Sequence, residues 1–420
     1  MSIQIINKTN YTLQRAVPTP SDLSPLPPSS VRIRTTLISL TTNNHSYAQL
    51  GGLGLPGLAY WDVWPFPATL PEPYNDAETY CRISAWGFAK VIDSNIVELP
   101  VGQELYGYWP IADRSEVLEL ERGGEGQWLE VSEGRGRLNG IYNRYFEVKG
   151  DGEAEGEGGE EGKGWDALMK TLFETGYLMD KFAFAAGEGR NAIHPSGNPH
   201  LPWTPADATL TNAVVILIGA SGKTALSLAY LLQHRPPPAR PAGIIAVGST
   251  RSQSFVEKTG FYDRFFSYED ASSSTLDIAS ELSTEGKKVV LVTFDTRTGS
   301  VEKWAAAVQG KCERLQIVIV GAPGDGAGGL HMGLIGRAQD PTSGVVVSDA
   351  GGTRTGALAV LGEGKYFAGL DEAWERFKGD GALPGVRLVR QKGMVSLVRE
   401  WDALVRGEHG PETGLLFELS

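Results

Sequence analysis

Seven residues in the middle of the chain have the spacing of a phosphate-binding loop. They read Gly219-Ala-Ser-Gly222-Lys-Thr-Ala225 and follow the apolar run 213–218, which is typical of a buried parallel strand. Small residues here let the backbone approach a pyrophosphate, and the N–H groups that open the next helix can bind the anion. A tight strand-to-helix turn without a ligand is the alternative. The loop predicts a dinucleotide site whose phosphates contact Gly219, Ser221, Gly222, Lys223 and Thr224.

The same loop ends like the nucleotide-hydrolysis motif G-x-x-x-x-G-K-T. That motif requires a glycine at position 217, where this chain has Leu217. Hydrolysis of a nucleoside triphosphate is therefore the less favoured interpretation.

The segment after the second predicted strand, residues 243–247, indicates which dinucleotide would bind. Proteins that use NAD usually place an acidic residue here to hold the ribose hydroxyls. This chain has Ser249, Thr250 and Arg251 instead, and two hydroxyls with a guanidinium suit a 2′-phosphate. The segment therefore predicts NADP as the cofactor. Ser249 or Thr250 can also cap the helix that follows, and the two roles are compatible.

Aromatic residues are concentrated in a short segment of the first half, Tyr60-Trp-Asp-Val-Trp-Pro-Phe66. A flat aromatic substrate would stack against such side chains. Tyr60, Trp61 and Trp64 are therefore candidate substrate contacts, and packing inside the domain is the alternative.

A second pair of candidates lies in the predicted helix 166–185. Tyr177 and Lys181 are four residues apart, so they share one face of the helix. They can present a phenol beside an ammonium near a nicotinamide. The alternative is a buried tyrosine with a solvated lysine.

The elements that carry these residues are of two kinds. The first half reads as short strands broken by proline and glycine, such as 31–40 and 81–92. Strands and helices alternate from residue 213 onward. This order predicts an α/β fold with a doubly wound parallel sheet beside a β-rich domain. We expect the β-rich domain over 1–164 and 375–420, and the nucleotide-binding domain over 165–374.

Residues 150–164 are of low complexity, with seven glycines, six acids and one lysine. Their net charge of −5 is nearly half of the −12 of the whole chain. This composition predicts a solvated, mobile surface loop. An acidic docking site for a basic partner is the alternative.

Composition argues against several classes of protein. A net charge of −12 over 420 residues argues against nucleic acid or an anionic membrane as the partner. No apolar run is long enough to span a bilayer, and the N-terminus lacks the pattern of a signal peptide. Two cysteines, Cys81 and Cys312, cannot build a disulfide framework or a structural zinc site. We expect a cytoplasmic protein without a metal.

Five further segments carry a family resemblance. They are residues 31–40, Asn44-His-Ser-Tyr-Ala-Gln-Leu-Gly-Gly, Trp86-Gly-Phe-Ala-Lys-Val-Ile-Asp, Leu99-Pro-Val-Gly-Gln-Glu-Leu-Tyr-Gly and Thr175-Gly-Tyr177. Together with the phosphate loop they resemble the zinc-independent quinone and enoyl reductases of the medium-chain dehydrogenase/reductase superfamily. The resemblance covers most of the chain except 120–164 and 186–210. It implies a Rossmann sheet with a GroES-like domain. The loop departs from the family, which often has Gly-Gly-Val-Gly at 222–225.

A narrower resemblance rests on Ser221-Gly-Lys-Thr-Ala-Leu together with Asn43-Asn-His-Ser-Tyr47. These segments resemble a fungal branch of the superfamily that is known mainly as a domain of unknown function. The resemblance implies a role in polyketide or flavonoid metabolism. It includes chalcone-type ring closure, which is not a redox step.

The resemblance implies where the chemistry takes place. An enone, enoyl or quinone substrate, aromatic or polyketide-like, would lie in a cleft between the domains and accept a hydride from NADPH. Asn44 and Tyr47 are the expected donors to the enolate oxygen, and His45 is the expected proton carrier. His45 can also be a surface or capping residue. Gly321 is expected beside the nicotinamide.

Two alternatives keep the fold and change the function. One is an isomerase or cyclase that uses tyrosine and histidine as proton carriers. The other is a non-catalytic dinucleotide sensor. The resemblance also implies a monomer or a homodimer that pairs through the last strand of the sheet, 344–347.

Overall fold

The computed structural model describes residues 1–21, 23–55, 57–148, 157–185, 192–294, 297, 299–321, 336–340 and 342–419. The chain divides into two compact units. One comprises Met1–Lys170 and Val386–Ser420, and we call it the β unit. The other comprises Thr171–Gly385, and we call it the α/β unit.

The secondary structure of the described residues is as follows. The strands are β1 Ser2–Asn7, β2 Gln14–Pro18, β3 Ser30–Leu40, β4 Tyr80–Cys81, β5 Ser84–Ser94, β6 Glu104–Pro110, β7 Ser115–Gly124, β8 Gln127–Glu130, β9 Arg144–Glu147, β10 Val214–Ile218, β11 Gly243–Gly248, β12 Arg264–Ser267, β13 Lys288–Thr293, β14 Arg314–Val320, β15 Val345–Ser348, β16 Arg387–Lys392 and β17 Thr413–Glu418. The helices are α1 Thr42–Leu50, α2 Glu157–Leu178, α3 Pro205–Ala208, α4 Lys223–Gln233, α5 Gln253–Thr259, α6 Ile278–Glu281, α7 Ser300–Val308, α8 Ala350–Leu361, α9 Glu363–Gly379 and α10 Gly393–Val405. A π-helix, Met179–Ala183, continues α2.

A closed ring of six strands forms the centre of the β unit. Its large sheet has the order β16-β17-β3-β5-β6-β9-β8-β7, and β7 also pairs with β3, which closes the ring. At the bulge between Thr35 and Leu37, a Cβ on Gly87 would collide with the backbone oxygen of Leu37. Only glycine lets β5 approach β3 this closely. A smaller sheet, β2-β1-β4, packs on its own apolar core around Ile3 and Ile5.

Six parallel strands form the sheet of the α/β unit, in the order β12-β11-β10-β13-β14-β15. Numbered within the sheet, this order is 3-2-1-4-5-6, which is that of dinucleotide-binding sheets. All five residues of β10 are buried, as expected for a parallel strand covered on both faces. The predicted α/β fold with a doubly wound sheet and a β-rich domain is confirmed.

The strand register brings the predicted nucleotide residues to one edge of this sheet. Ile218 lies opposite Val247 on one side and Thr293 on the other, and Thr293 lies opposite Ile319. The loops that follow β10, β11 and β14 therefore leave the sheet at the same level. In open α/β sheets, this carboxyl edge is where ligands bind.

The expectation of a solvated loop over 150–164 is wrong for its second half. Residues 157–164 form the first turns of α2, and 149–156 lie outside the described residues. Lys163 Nζ lies 2.7 Å from Glu104 Oε2, and Arg390 Nη1 lies 2.9 Å from Glu160 Oε2. A Cβ on Gly164 would lie 2.9 Å from the side chains of two leucines on β16 and β17. Tertiary contacts therefore override the poor helix propensity of the glycines.

The connection between β12 and β13 contains only short helices. Residues Tyr268–Ser272 form a 3₁₀-helix, and the α-helix covers only Ile278–Glu281. The hydroxyls of Ser273 and Thr275 lie 3.0 Å apart, and Asp277 caps α6 by accepting from the amide of Ala279 at 3.1 Å. Serine and threonine satisfy each other locally and delay the start of the helix.

Candidate functional site

The phosphate loop leaves the sheet through a glycine that the backbone requires. Gly219 has a φ of +82°, a left-handed conformation that other residues rarely adopt. The N–H groups of Gly219 and Ala220 both donate to the carbonyl of Val247 at 3.0 Å, and that of Gly222 donates to Gly219 at 2.9 Å. Helix α4 then begins at Lys223, and no side chain of the described residues caps it. Its first N–H groups are available for an anion.

Lys223 places a cation at this helix end. Its side chain is partly buried, and no carboxylate of the described chain acts on it as a countercharge. Burial lowers the pKa of Lys223 to about 8, because the charged form is desolvated there. A phosphate would supply the missing countercharge.

The segment after β11 is organised by its serines. The hydroxyl of Ser252 donates to the carbonyl of Ser249 at 2.9 Å, and that of Ser249 donates to Ser252 Oγ at 3.2 Å. Ser252 is buried, whereas Thr250 and Arg251 are exposed at the carboxyl edge of the sheet. Ser249 precedes the 3₁₀-helix Thr250–Ser252, but its side chain makes no capping hydrogen bond to a described residue. The cofactor roles of Ser249, Thr250 and Arg251 stay predictions.

The last predicted cofactor contact, Gly321, follows β14 at the same edge. It has a φ of +79° and is exposed, and a Cβ added there would meet no atom of a described residue within 4 Å. Open amides, a cation and an exposed guanidinium therefore occur on one sheet edge without an acidic residue in the loop after β11. These residues fit an NADP diphosphate and 2′-phosphate.

Sequence reasoning missed one residue of this site. The hydroxyl of Tyr262 donates to the carbonyl of Ala220, inside the phosphate loop, at 2.8 Å. Burial raises the pKa of Tyr262 well above its ordinary value, so the hydroxyl remains a donor at any physiological pH. No local sequence motif predicts this contact, because Tyr262 follows Ala220 by 42 residues and precedes a different strand, β12.

The structure uses Tyr177 and Lys181 in separate contacts. Tyr177 is buried, with its ring 6.1 Å from the rings of Phe182 and Tyr366. Lys181 lies in the π-helix, and its Nζ is 3.0 Å from Asp180 Oδ2. A joint role of this pair near a nicotinamide stays a prediction.

Helix α1 holds the two predicted donors to the enolate oxygen, Asn44 and Tyr47, and the predicted proton carrier, His45, and the structure places each differently. The side chain of Asn44 is buried: it accepts from the amide of Thr41 at 2.8 Å and donates to the carbonyl of Ser84 at 3.0 Å. His45 lies edge-on against Tyr11, with ring centroids 5.4 Å apart, and burial lowers its pKa. Of the three, Tyr47 lies within the aromatic cluster described next.

Five rings pack together inside the β unit, and we call them the aromatic cluster: Tyr47, Tyr60, Trp86, Tyr108 and Tyr142. Tyr47 and Tyr60 have ring centroids 4.6 Å apart, Tyr108 and Tyr142 are 4.9 Å apart, and Trp86 lies 5.4 Å from Tyr108. All except Tyr142 are at least nine-tenths buried. The cluster draws its members from α1, two strands, one loop and the 3₁₀-helix Gly140–Asn143.

The hydroxyls of Tyr47, Tyr108 and Tyr142 stay protonated at physiological pH, because burial raises the pKa of each. Burial raises the pKa of Tyr47, although Tyr142, Trp86 and Asn43 oppose the shift. Burial, together with Tyr47 and Tyr60, raises the pKa of Tyr108 well above its ordinary value. Protonated phenols are hydrogen-bond donors, so the cluster can stabilise an oxygen that gains negative charge.

Of the three aromatic residues predicted to contact substrate, only Tyr60 belongs to the cluster. Its hydroxyl donates to Tyr142 Oη at 3.1 Å. The indole of Trp61 donates to the carbonyl of Ala48 at 2.9 Å, and that of Trp64 donates to Ser84 Oγ at 2.9 Å. Trp61 and Trp64 therefore make packing contacts within the β unit, and their predicted contact with substrate stays a prediction.

No helix of the described chain combines the length and apolarity that are needed to cross a membrane. Among the same residues, no three histidine, cysteine or acidic side chains are grouped to hold a metal ion.

Solved structures of other proteins share the fold of this chain. The chain is similar over its whole length to the mitochondrial 2-enoyl thioester reductase Etr1p/Etr2p heterodimer of Candida tropicalis, with a TM-score of 0.55 and 11% identity over 99% of this chain and 98% of that chain. It is also similar to CurA of Vibrio vulnificus in complex with NADPH, with a TM-score of 0.54 and 11% identity over 100% and 99% of the two chains. The chain therefore has the medium-chain dehydrogenase/reductase fold, a Rossmann sheet with a GroES-like domain, which confirms the resemblance at the level of the fold.

Within that class, the chain belongs to the family described as "protein of unknown function (DUF2855)". Residues 38–410 match this family, which covers both units. No curated protein matches the chain at a significant level.

Proposed function

We propose that this protein is an NADPH-dependent, zinc-independent reductase of a conjugated carbonyl compound, an enone, an enoyl ester or a quinone. The observation that carries the proposal is the carboxyl edge of the sheet. There an uncapped helix end, Lys223 and Arg251 supply positive charge, and the loop after β11 has no acid to hold a ribose hydroxyl. This combination favours a dinucleotide that carries a 2′-phosphate.

Each residue of the edge has a defined task. The amides that open α4 bind the diphosphate, and the Lys223 ammonium neutralises part of its charge. Arg251 binds the 2′-phosphate, with the Thr250 hydroxyl beside it. Tyr262 holds the carbonyl of Ala220 and so fixes the shape of the loop. When bound, NADPH supplies the hydride that reduces the conjugated double bond.

Hydride addition to a conjugated carbonyl places negative charge on the carbonyl oxygen. The neutral phenols of the β unit, including Tyr47, are suited to stabilise that charge by donating hydrogen bonds. Solved structures of the same fold support the choice of ligands. One holds Etr1p with NADP and crotonyl-CoA, at a TM-score of 0.52 and 10% identity over 99% of this chain and 98% of that chain.

The test is a titration with NADPH and with NADH, followed by fluorescence of the bound nicotinamide. We expect the wild-type protein to prefer NADPH, and Arg251→Ala to weaken NADPH binding by about tenfold or more without affecting NADH. Lys258→Ala is the matched control, because it removes one exposed positive charge from the adjacent helix α5. A wild-type protein that binds neither nucleotide would rule out the reductase.

A second measurement tests the reaction itself. NADPH oxidation is followed with crotonyl-CoA, an aryl enone and a quinone as separate substrates. Oxidation that depends on one of them supports the proposal. Binding of NADPH without oxidation by any of the three would favour a sensor or an isomerase.

One observation favours the isomerase as a second candidate. The aromatic cluster gathers protonated tyrosines that need no nucleotide to transfer a proton. Cyclisation of a 2′-hydroxychalcone in the absence of NADPH would establish this function, and strict dependence on NADPH would exclude it.

A further inference from the structure

Two buried hydrogen-bond donors in the aromatic cluster lack a well-formed hydrogen bond to any residue that the structure describes. Tyr108 is fully buried and Trp86 is 8% exposed. The Trp86 indole lies within reach of the Tyr47 hydroxyl, and the Tyr108 hydroxyl lies within reach of the Ser84 backbone. Neither donor, however, forms a hydrogen bond of normal geometry with a described residue. The two rings are neighbours, with centroids 5.4 Å apart. Buried polar groups are normally paired, so an unpaired set in one place requires an explanation.

The same unit satisfies comparable groups elsewhere. Tyr145 is as buried as Tyr108, but its hydroxyl donates to the carbonyl of Tyr108 at 3.1 Å and accepts from Arg135 Nη2 at 3.1 Å. The indole of Trp109 donates to the carbonyl of Gly87 at 3.0 Å. Packing in this unit therefore does not in general leave buried tyrosine and tryptophan donors unpaired.

The chemistry of the unpaired groups defines what they can bind. An indole N–H only donates, and a neutral phenol with a free proton also acts as a donor, so the ligand atom must be an acceptor. The five side chains of the cluster carry no formal charge, which suits a neutral carbonyl oxygen better than a carboxylate or a phosphate.

The surroundings of the two donors define the rest of the ligand. Tyr47, Tyr60 and Tyr142 surround them with ring faces and edges, and Trp86 stacks on Tyr106 with centroids 5.8 Å apart. Tyr142 is partly exposed, so the cluster reaches the surface at this residue. Flat aromatic groups stack favourably against such rings.

We infer that Tyr108 and Trp86 donate hydrogen bonds to the carbonyl oxygen of a flat, aryl-conjugated carbonyl compound, and that the aromatic cluster binds its ring system. The inference names the substrate class and rests on the proposed reductase function only for the reaction that follows binding. Both donors are ligand-binding residues that the sequence did not single out.

The experiment measures binding of a defined pair of probes to the full chain. The first probe is 4-phenyl-3-buten-2-one, an aryl enone, and the second is 1-phenyl-1-butene, which has the same shape without the oxygen. Binding is followed by quenching of tryptophan fluorescence and by the absorption band of the enone, which shifts to longer wavelength when its oxygen accepts hydrogen bonds. We expect the wild-type protein to bind the enone more tightly and to shift its band.

Tyr108→Phe is the decisive variant, and Tyr145→Phe is its matched control. Tyr108→Phe removes an unpaired hydroxyl, so we expect its thermal midpoint to stay unchanged or rise, while enone affinity falls about tenfold and the band shift is reduced. Tyr145→Phe removes a paired hydroxyl, so we expect its midpoint to fall while enone affinity is retained. Trp86→Phe repeats the test at the second donor.

Three results would overturn the inference. The wild-type protein could bind both probes equally, Tyr108→Phe could keep the full enone affinity, or Tyr108→Phe could lose as much stability as Tyr145→Phe. The last result would mean that the protein or a buried water already pairs the Tyr108 hydroxyl. NADPH titration of the same variants separates the two proposals. A protein that binds the enone more tightly than the alkene but does not bind NADPH would rule out the reductase and still support this carbonyl-binding site.

Discussion

The hydroxyl of Tyr262 lies 2.8 Å from the carbonyl oxygen of Ala220, the second residue of the phosphate loop. The amide of Ala220 is also bonded, to the carbonyl of Val247 at 3.0 Å. Both polar groups of the Ala220 backbone are thus fixed by residues outside the loop. Loop residues that bind an anion through their amides gain affinity when those amides are already oriented.

We therefore predict that Tyr262→Phe weakens NADPH binding about three- to tenfold, since it removes one hydrogen bond that orients the loop. Tyr230→Phe is the control, because its hydroxyl bonds Asp380 Oδ2 at 2.6 Å and not the loop. Calorimetric titration of both variants checks the effect. Equal affinity of Tyr262→Phe and wild type would show that the loop does not depend on this bond.

The ionisation of Lys223 predicts how NADPH affinity depends on pH. Its pKa of about 8 in the protein lies below its ordinary value of 10.5. Below pH 8 the ammonium is charged and attracts the diphosphate, and above pH 8 it is increasingly neutral. We predict that NADPH affinity falls as the pH rises through about 8. Lys223→Arg should keep the high affinity across this range, because a guanidinium stays charged. A pH-independent wild-type affinity would contradict the role.

The lowered pKa of Lys223 also affects the free energy of unfolding of the protein without NADPH. This free energy should rise with pH, whereas the affinity for NADPH should fall. Because the folded-state pKa is lowered, the folded chain binds fewer protons than the unfolded chain between about pH 8 and 10.5. Stability should therefore rise with pH in this window as far as Lys223 contributes. Chemical denaturation of wild type and Lys223→Met at pH 7 and pH 9 measures this contribution.

The Rossmann half of the fold could be predicted because its signals are local. A parallel strand covered on both faces must be apolar throughout, as β10 is, and the glycine that follows must take a positive φ. Both signals are visible in a few consecutive residues. The carboxyl-edge site follows directly, since parallel strands end at the same level.

The aromatic cluster could not be predicted in the same way. Tyr108 and Tyr142 lie far apart in the sequence, and strand pairing around the closed ring brings their centroids to 4.9 Å. The dense aromatic run at 60–66 was the visible signal, but two of its tryptophans serve packing. The start of α2 was missed for a related reason, since ion pairs such as Lys163–Glu104 are invisible to composition.

A buried charge cluster allows a stability prediction in the β unit. Glu116 Oε1 lies 2.5 Å from Arg82 Nη2 and 3.0 Å from Arg114 Nε, and all three side chains are buried. Glu116→Gln removes the countercharge of two buried arginines, so we expect it to lower the free energy of unfolding by about 3 kcal/mol. Glu119→Gln, on the exposed face of β7, is the control and should change it by less than about 0.5 kcal/mol. Urea denaturation measures both.

The acid side of the stability profile follows from the same cluster. Burial acts to raise the pKa of Glu116, but Arg82 and Arg114 outweigh it and lower the pKa below the ordinary 4.5. The contribution of Glu116 is therefore fully present above pH 4.5 and is lost as the pH falls through the lowered value. In Glu116→Gln this part of the acid transition should disappear.

The final prediction concerns Asn44, which the sequence suggested as an oxyanion donor. Its amide oxygen accepts from the Thr41 amide that precedes α1, and its Nδ2 donates to the carbonyl of Ser84 on β5. We expect Asn44→Ala to lower the free energy of unfolding by about 2 kcal/mol, because a buried cap and a buried carbonyl lose their partners. Asn44→Asp keeps the acceptor for Thr41, so its loss of stability should be smaller. Thr42→Ala, at an exposed position of α1, is the neighbouring control. NADPH oxidation per folded molecule should be unchanged in Asn44→Ala at temperatures where it is folded, since the residue positions α1. Full stability with a large loss of turnover would instead assign Asn44 directly to the reaction.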